Sequence, residues 1–368
     1  MNITESISLT NNTNMPLAAM MANQHEKVVY YYDELTGLKA IVAIHNTVLG
    51  PALGGTRIWQ YEQEEHALVD VLRLSKGMTY KSAIAGLDLG GGKAVIIGDA
   101  STIKTEAYLR RYGQFIEELN GSYITGPDVN VTMHDLVHVA KETQYVIGLP
   151  AVQGGSGDPS LLTAYSTYMG LKAAAKKAYG KDTLQDKKIG VQGVGKVGKL
   201  LVDYLCQEGA QVYITDIMPA SLAAVAKQHD VQVIDSLDSF YDLDMDIYAP
   251  CALGATINDQ TLARLKCQVI AGAANNQLAD ETRHGQMLLE KGIVYAPDFV
   301  INAGGVINVH TEFYGGYNKE LAFQQVERIY EVCLEILTQS AQANIPSQAM
   351  AVRLAEQRIA AIKNARLI

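Results

Sequence analysis

At 368 residues the chain is longer than a single hydrophobic core usually supports, so two domains are expected. Its net charge of −9, with no run of Lys or Arg, argues against a nucleic-acid or anionic-membrane surface and leaves small soluble molecules as the expected ligands. Cys206, Cys251, Cys267 and Cys333 are far apart, form no CxxC pair and sit in apolar contexts. They read as buried thiols in a reducing, cytoplasmic compartment, with no disulfide and no metal site expected.

Residues 1–27 begin with a run rich in Asn, Thr and Ser and lack a basic segment before an apolar core, so they read as a loose polar extension, not a secretory leader. No later stretch is long and apolar enough to span a membrane. Leu38, Ala40, Val42 and Ile44 alternate as in a strand, and a helix is predicted from Glu64, with Ala67, Leu68, Val71, Leu72 and Ser75 at helical spacing. A glycine-rich segment, 86–93, then precedes a short predicted strand at 94–97 and a helix at 105–119. Residues 122–124 look strand-like and lead into Gly126-Pro127-Asp128.

The clearest break is Gly154-Gly155-Ser156-Gly157-Asp158-Pro159, which reads as a crossover into a second domain. Beyond it a helix is predicted at 162–179 and a strand at 188–191. Short apolar strands at 212–215, 231–234, 247–249, 269–271 and 294–296 follow, alternating with helices. This alternation predicts a doubly wound parallel sheet with its ligand at the carboxyl ends of the strands. The tail from Lys319 reads as a long helix, a break at Ile345-Pro346-Ser347 and a second helix.

Gly193-Val194-Gly195-Lys196-Val197-Gly198 lies between the 188–191 strand and an amphipathic stretch, and Asp216 closes the next apolar run. The pattern alone is a common chance match, but strand, glycines, helix and acid in this order read as a dinucleotide site. The first glycine permits the tight turn, the second lets a pyrophosphate approach the backbone, and the third allows close helix packing. The helix N-terminus faces the phosphates. Asp216 can accept from both adenosine ribose hydroxyls and would repel a 2′-phosphate, which favours NAD over NADP.

Lys81 and Lys93 bracket a small, apolar segment ending in Gly90-Gly91-Gly92. They are either ordinary surface lysines or a pair drawn into one cleft, where one holds a substrate carboxylate and the other acts as a base near neutral pH. In the second reading the triple glycine lets the backbone approach a ligand. Asp128 is either a cleft acid or a turn former after Gly-Pro.

The blocks Gly50-Pro51-Ala52-Leu53-Gly54-Gly55-Thr56-Arg57, Lys76-Gly77-Met78-Thr79-Tyr80-Lys81, Gly90-Gly91-Gly92-Lys93, Asp128, the glycine fingerprint, Ala249-Pro250-Cys251-Ala252-Leu253-Gly254, Ala271-Gly272-Ala273-Ala274-Asn275-Asn276-Gln277 and Asn302-Ala303-Gly304-Gly305 run in order from about residue 28 to the C-terminus. In them the chain resembles the amino-acid dehydrogenase family that includes the glutamate, leucine, phenylalanine and valine enzymes. The resemblance implies reversible, NAD-dependent oxidative deamination of an amino acid to its 2-oxo acid. It assigns carboxylate binding to Lys81, activation of the water that attacks the imino carbon to Lys93, and proton transfer at the amino group to Asp128. Asn275 or Asn276 and Asn302 would line the nicotinamide and amino-group region, Thr163 would lie near the nicotinamide amide, and Ala252 would join the glycine loop in holding the cofactor.

The same resemblance implies an α/β fold with an amino-acid-binding and oligomerisation domain at 28–150, to which a C-terminal helix at 346–368 returns, and a Rossmann-like NAD-binding domain at 151–345. A homo-oligomer is expected, an octamer by family likeness, with a cleft that closes over substrate. The chain departs from the pattern of its leucine-acting members at Leu161-Leu162, where a Pro-x pair is common, and at Gly126-Pro127, where several have Ala-Glu.

Glutamate-acting members place a lysine where this chain has Leu53, in Leu53-Gly54-Gly55. A leucine facing a buried carboxylate leaves that charge unpaired at a cost on the order of several kcal/mol, so an apolar substrate side chain is expected. Gly126 resembles the small residue that enlarges the pocket of members acting on phenylalanine and tryptophan, whereas Val306 and Val309 resemble a branched pair that limits it. One methylene discriminates by only about 1–3 kcal/mol, so the wider motif match decides for leucine as the main substrate, with other branched-chain amino acids accepted; the alternative is a phenylalanine, valine or tryptophan dehydrogenase of the same family. A non-catalytic NAD-binding oligomer is the reading of a different class; loss of Lys93 or Asp128 would have favoured it.

Overall fold

The computed structural model describes residues 16–313 and 316–365. By their contacts these residues form two units: one from the described parts of Met1–Gly157, Glu312–Tyr317 and Arg358–Ile368, the other from Asp158–Thr311 and Asn318–Gln357. The first boundary falls after Gly157, later than the expected end at 150. The Glu312 carboxylate accepts from the Gly148 amide at 3.0 Å and from the Ser156 amide at 2.9 Å, and this holds the intervening loop within the first unit.

In the first unit helix α1 (Pro16–Ala22) precedes strands β1 (Lys27–Asp33), β2 (Leu38–Asn46) and β3 (Ala52–Trp59), helix α2 (Glu64–Ile84) and strand β4 (Gly90–Ile97). Helices α3 (Ala100–Ile103) and α4 (Glu106–Glu118), strand β5 (Tyr123–Pro127) and helix α5 (Met133–Val139) complete it. The sheet order is β1-β2-β4-β3-β5, antiparallel from β1 to β4 and parallel from β4 through β3 to β5. Leu38, Ala40, Val42 and Ile44 do share a face, packed with Tyr108, Tyr112 and Phe115 of α4. Ile41, Ala43 and Val95 fill the opposite face beneath Ala67, Leu68, Val71 and Leu72 of α2. Each branched side chain so buried contributes about 1.5–3 kcal/mol.

Two expectations change here. Ala19 of α1 is buried in the α2 cluster, so a stretch read as loose extension is a packed helix from Pro16, while residues 1–15 of that extension lie outside the described residues. Strand β4 begins at Gly90, not Ala94, and the triple glycine is strand rather than ligand-facing loop. A Cβ on Gly91 would overlap Thr79 of α2, and one on Gly92 would come within 2.7 Å of the Tyr123 ring. The glycines are needed because the protein itself packs against both faces of the strand.

The second unit contains α6 (Ser160–Tyr179), β6 (Lys188–Gln192), α7 (Lys196–Gln207), β7 (Gln211–Thr215), α8 (Pro219–Gln228), β8 (Gln232–Val233) and α9 (Leu237–Phe240). It continues through β9 (Ile247–Pro250), α10 (Asp259–Arg264), β10 (Val269–Ile270), α11 (Glu281–Glu290), β11 (Val294–Tyr295), α12 (Asp298–Ile301), α13 (Gly304–Phe313, its last two residues belonging to the first unit), α14 (Lys319–Ala343) and α15 (Ser347–Ala365). The sheet order β11-β10-β9-β6-β7-β8 is parallel throughout, so the winding reverses between β6 and β9. Such a switch point leaves a crevice at the strands' carboxyl ends. Helix α15 packs in this unit up to Gln357, and from Arg358 its residues join the first unit, where the Arg358 guanidinium donates to the Leu87 carbonyl at 2.7 Å. All four cysteines are free thiols, and burial pushes Cys251, Cys267 and Cys333 up to about 12.

Candidate active site

Strand alternation decides which side chains of the first unit can meet. On β3, Ala52, Thr56 and Ile58 face the α4 cluster, which turns Leu53, Gly55 and Arg57 toward α2. On β4, Gly91 abuts Thr79 and Val95 packs beneath α2, so Lys93 between them faces α2 as well. On β5, Tyr123 belongs to the α4 side and Gly126 to the other. Leu53, Lys93 and Gly126 therefore share one face, with Lys81 half-buried in the last turn of the helix that covers it.

Asp128 directly follows β5, and the Lys93 ammonium reaches its Oδ2 at 2.8 Å with only 8% of the lysine side chain exposed. Asp128 meets both readings left open for it: its carbonyl accepts from the Val131 amide at 3.0 Å in a turn, and its carboxylate, 24% exposed, pairs with Lys93. Arg57 Nε meets the same oxygen at 3.1 Å, and its Nη1 pairs with Asp70 Oδ2 at 2.9 Å. Tyr61 donates to that Asp70 oxygen at 2.7 Å. Burial alone would raise the Asp128 carboxyl, but the Lys93 and Arg57 charges outweigh it and hold the group below the usual carboxylate range.

Arg57, Asp70 and Tyr61 were not singled out from the sequence. A signal existed for two of them: Arg57 alternates onto the Leu53 face, and Asp70 interrupts the apolar stripe Ala67, Leu68, Val71, Leu72 of α2.

Around these groups the backbone is crowded. A Cβ on Gly54 would overlap the Gly92 carbonyl, and one on Gly55 would stand 2.9 Å from Asp128 Cβ. Gly54 thus serves the β3–β4 contact, and its carbonyl accepts from Tyr123 Oη at 2.6 Å. Gly126 differs: an added Cβ would meet Ile147 Cγ1 at 3.4 Å, an ordinary contact. The space beyond this glycine is bounded by Ile147, a side chain that sequence spacing did not flag.

In the second unit the glycine fingerprint has the geometry its spacing implied. Gly193 turns at φ +94° and Gly198 lies against the Gly193 carbonyl, where no Cβ would fit. A Cβ on Gly195 meets nothing within 4 Å, and no side chain caps α7. Its first amides are open to an anion. Val194 is buried, Lys196 is exposed, and Val197 lies in the first turn of α7; Ala252 packs against Gly193, where a Cβ would lie 2.7 Å from the alanine's own. Asp216 accepts from the Val194 amide at 2.7 Å and the Met218 amide at 2.8 Å, which fixes the acid beside the loop.

Asn302 donates to Asn275 Oδ1 at 2.8 Å, while its own Oδ1 is buried without a partner among the described residues. Asn276, beside it, is exposed at φ 52°. Thr163, in the first turn of α6, stands where a Cβ on Gly305 would be 3.1 Å from its hydroxyl. Val306 and Val309 follow on the buried face of α13. These residues form a second constellation, within this unit.

Residues 23–148 match the family model described as the Glu/Leu/Phe/Val dehydrogenase dimerisation domain, and residues 216–366 match that of the Glutamate/Leucine/Phenylalanine/Valine dehydrogenases. The chain is 54% identical over 342 residues to the leucine dehydrogenase of Bacillus subtilis (strain 168), covering 93% of each protein. It is 47% identical to the phenylalanine dehydrogenase of Bacillus thermotolerans, covering 92% of this chain and 89% of that one. The solved L-tryptophan dehydrogenase from Nostoc punctiforme is similar to it with a TM-score of 0.84 at 43% identity, over 95% of this chain and 99% of that one. Identity near or above one half along nine-tenths of the chain, with two domain models matched in order, shows that the chain belongs to the Glu/Leu/Phe/Val dehydrogenase family.

Proposed function

We propose that the protein catalyses the reversible, NAD-dependent oxidative deamination of L-leucine, and less efficiently of valine and isoleucine. Leucine, NAD⁺ and water give the branched 2-oxo acid, ammonium, NADH and a proton. The observation that carries this reading is the pairing of buried Lys93 with Asp128 on the face shared by Leu53, in a chain 54% identical to a leucine dehydrogenase. Leu53 offers a substrate side chain only apolar contact.

Lys81 holds the substrate carboxylate as a fixed cation. Asp128, kept ionised by its two cationic neighbours, takes and returns the proton of the amino group. Lys93 removes a proton from the water that attacks the imino carbon. The bound nicotinamide supplies the hydride acceptor for Cα. The open Gly195 and the uncapped α7 suit a pyrophosphate, and Asp216 suits the adenosine ribose. Gly193, Val194, Lys196, Val197, Gly198 and Ala252 complete that end. Thr163, Asn275, Asn276 and Asn302 serve the nicotinamide end, and the orphan Asn302 Oδ1 can accept from an amide or amino group. Val306 and Val309 limit the length of the substrate side chain. The match to a dimerisation-domain model supports a homo-oligomer, for which we propose an octamer, in the cytoplasm.

Asp216→Ala removes both the ribose acceptor and the charge that opposes a 2′-phosphate. The ratio of kcat/KM for NAD over NADP is expected to fall by at least about tenfold, roughly the worth of one charge-assisted hydrogen bond. Equal use of both cofactors by the unaltered enzyme would remove the basis for this assignment.

A panel of amino acids assayed for NADH formation tests the substrate. The expected order is leucine first, valine and isoleucine next, and phenylalanine weak. Gly126→Ala, whose methyl fits against Ile147, is expected to suppress phenylalanine more than leucine. A higher kcat/KM for phenylalanine or tryptophan than for leucine would replace the leucine reading with the aromatic one.

A further inference from the structure

We propose that Arg57 and Asp70 are positioning residues that set the charge state of the Lys93–Asp128 pair. The inference rests on the catalytic roles given above to that pair. Lys93 Nζ and Arg57 Nε both meet Asp128 Oδ2, at 2.8 and 3.1 Å, so one carboxylate faces two cations. A single negative charge cannot neutralise both. Asp70, with 4% of its side chain exposed, supplies the second at 2.9 Å from Arg57 Nη1. The set is then Lys93, Arg57, Asp128 and Asp70, two charges of each sign, with Lys93 and Asp70 buried and the other two less than a quarter exposed.

The connection is also directional. Arg57 bridges the two acids through different nitrogens and so fixes the Asp128 carboxylate by its Oδ2. Asp70 is held in turn by the Tyr61 hydroxyl at 2.7 Å and by Arg73 at 3.3 Å. Arg73 is half-exposed, so solvent screens its charge more than it does that of Arg57. Lys81 lies half-buried in the last turn of α2 over the same face, where its charge is matched by the substrate carboxylate, and two phenols are close as well: Tyr61, and Tyr123 with its hydroxyl on the Gly54 carbonyl. Burial raises both, so they are neutral near pH 7 and add no charge. In a poorly solvated cluster a charge two links away acts on the reacting groups with little screening.

The sign of each substitution follows. Asp70→Asn leaves Arg57 uncompensated, makes the surroundings of the pair more positive and drives proton loss at lower pH. Arg57→Gln removes a positive charge and has the opposite effect. The readout is the acid limb of kcat/KM against pH for leucine deamination, with thermal unfolding as a check on folding. Expected shifts are roughly half a unit or more, downward for Asp70→Asn and upward for Arg57→Gln. Arg57→Lys keeps the charge, so its limb is expected to stay near that of the unaltered enzyme while kcat falls with the lost bridging geometry.

Limbs that do not move, or that move in the same direction for both neutralising variants, overturn the proposal and leave these residues a structural role only. If Asp70→Asn does not fold, the contrast between Arg57→Gln and Arg57→Lys decides alone. Lys93→Ala is run beside them: if it stays active, the catalytic assignment itself falls. If it is inactive and the limbs stay fixed, only the positioning role is lost.

Discussion

Lys93→Ala is expected to lower kcat for leucine deamination by about 10³-fold or more, in the range that removal of a positioned general base produces. NADH binding, followed by the quenching or enhancement of its fluorescence, is expected to stay unchanged. The two halves of the prediction rest on separate observations. Lys93 lies on β4 of the first unit, paired with Asp128 at 2.8 Å, whereas the glycine loop and Asp216 belong to the second. Removing the amino group takes away the base and leaves the Asp128 carboxylate with Arg57 as its remaining cationic partner. Activity within about tenfold of the unaltered enzyme would contradict the assignment.

Gly54→Ala is expected to destabilise the first unit by about 3 kcal/mol or more, at or above the upper end of what overpacking a core costs. The added methyl would overlap the Gly92 carbonyl and come within 3.3 Å of Lys93 Cα, so β3 and β4 would have to part at the centre of the sheet. Denaturant unfolding measures the loss. Gly77→Ala is the natural counterpart: it lies exposed in α2 with nothing within 4 Å of a new Cβ. There the same substitution is expected to stabilise by about 0.5–1 kcal/mol, because alanine loses less backbone entropy than glycine on entering a helix. Similar unfolding midpoints for the two variants would show that the β3–β4 contact is looser than described.

The second unit was the more legible of the two because its signals are local. Strand, glycines, helix and acid follow one another between Lys188 and Asp216, and each glycine acts on a neighbour close in sequence; Gly193, for instance, needs its positive φ for the turn itself. The first unit depends on contacts distant in sequence. Gly90-Gly91-Gly92 looks like a loop until Thr79 and Tyr123 are seen pressed against it. Arg57 and Asp70 are 13 residues apart, and Asp128 is 71 residues beyond Arg57, so no periodicity links them. Their pairing becomes visible only when β3, α2 and the end of β5 are brought together. Ile147 was hidden for the same reason, since it limits Gly126 only through the pairing of its segment with β5. Helix α1 is short, and its single buried residue, Ala19, gives too little apolar pattern to read.

The direct test of the central claim is the stoichiometry of a reaction containing the full-length protein, L-leucine and NAD⁺, with NADH, ammonium and 2-oxo acid measured in the same sample. The expected result is equal amounts of all three, formed at least about 10³-fold more slowly by Lys93→Ala. NADH without ammonium, or no NADH from leucine while a parallel sample with phenylalanine in its place forms it, would contradict leucine deamination as the activity of this protein.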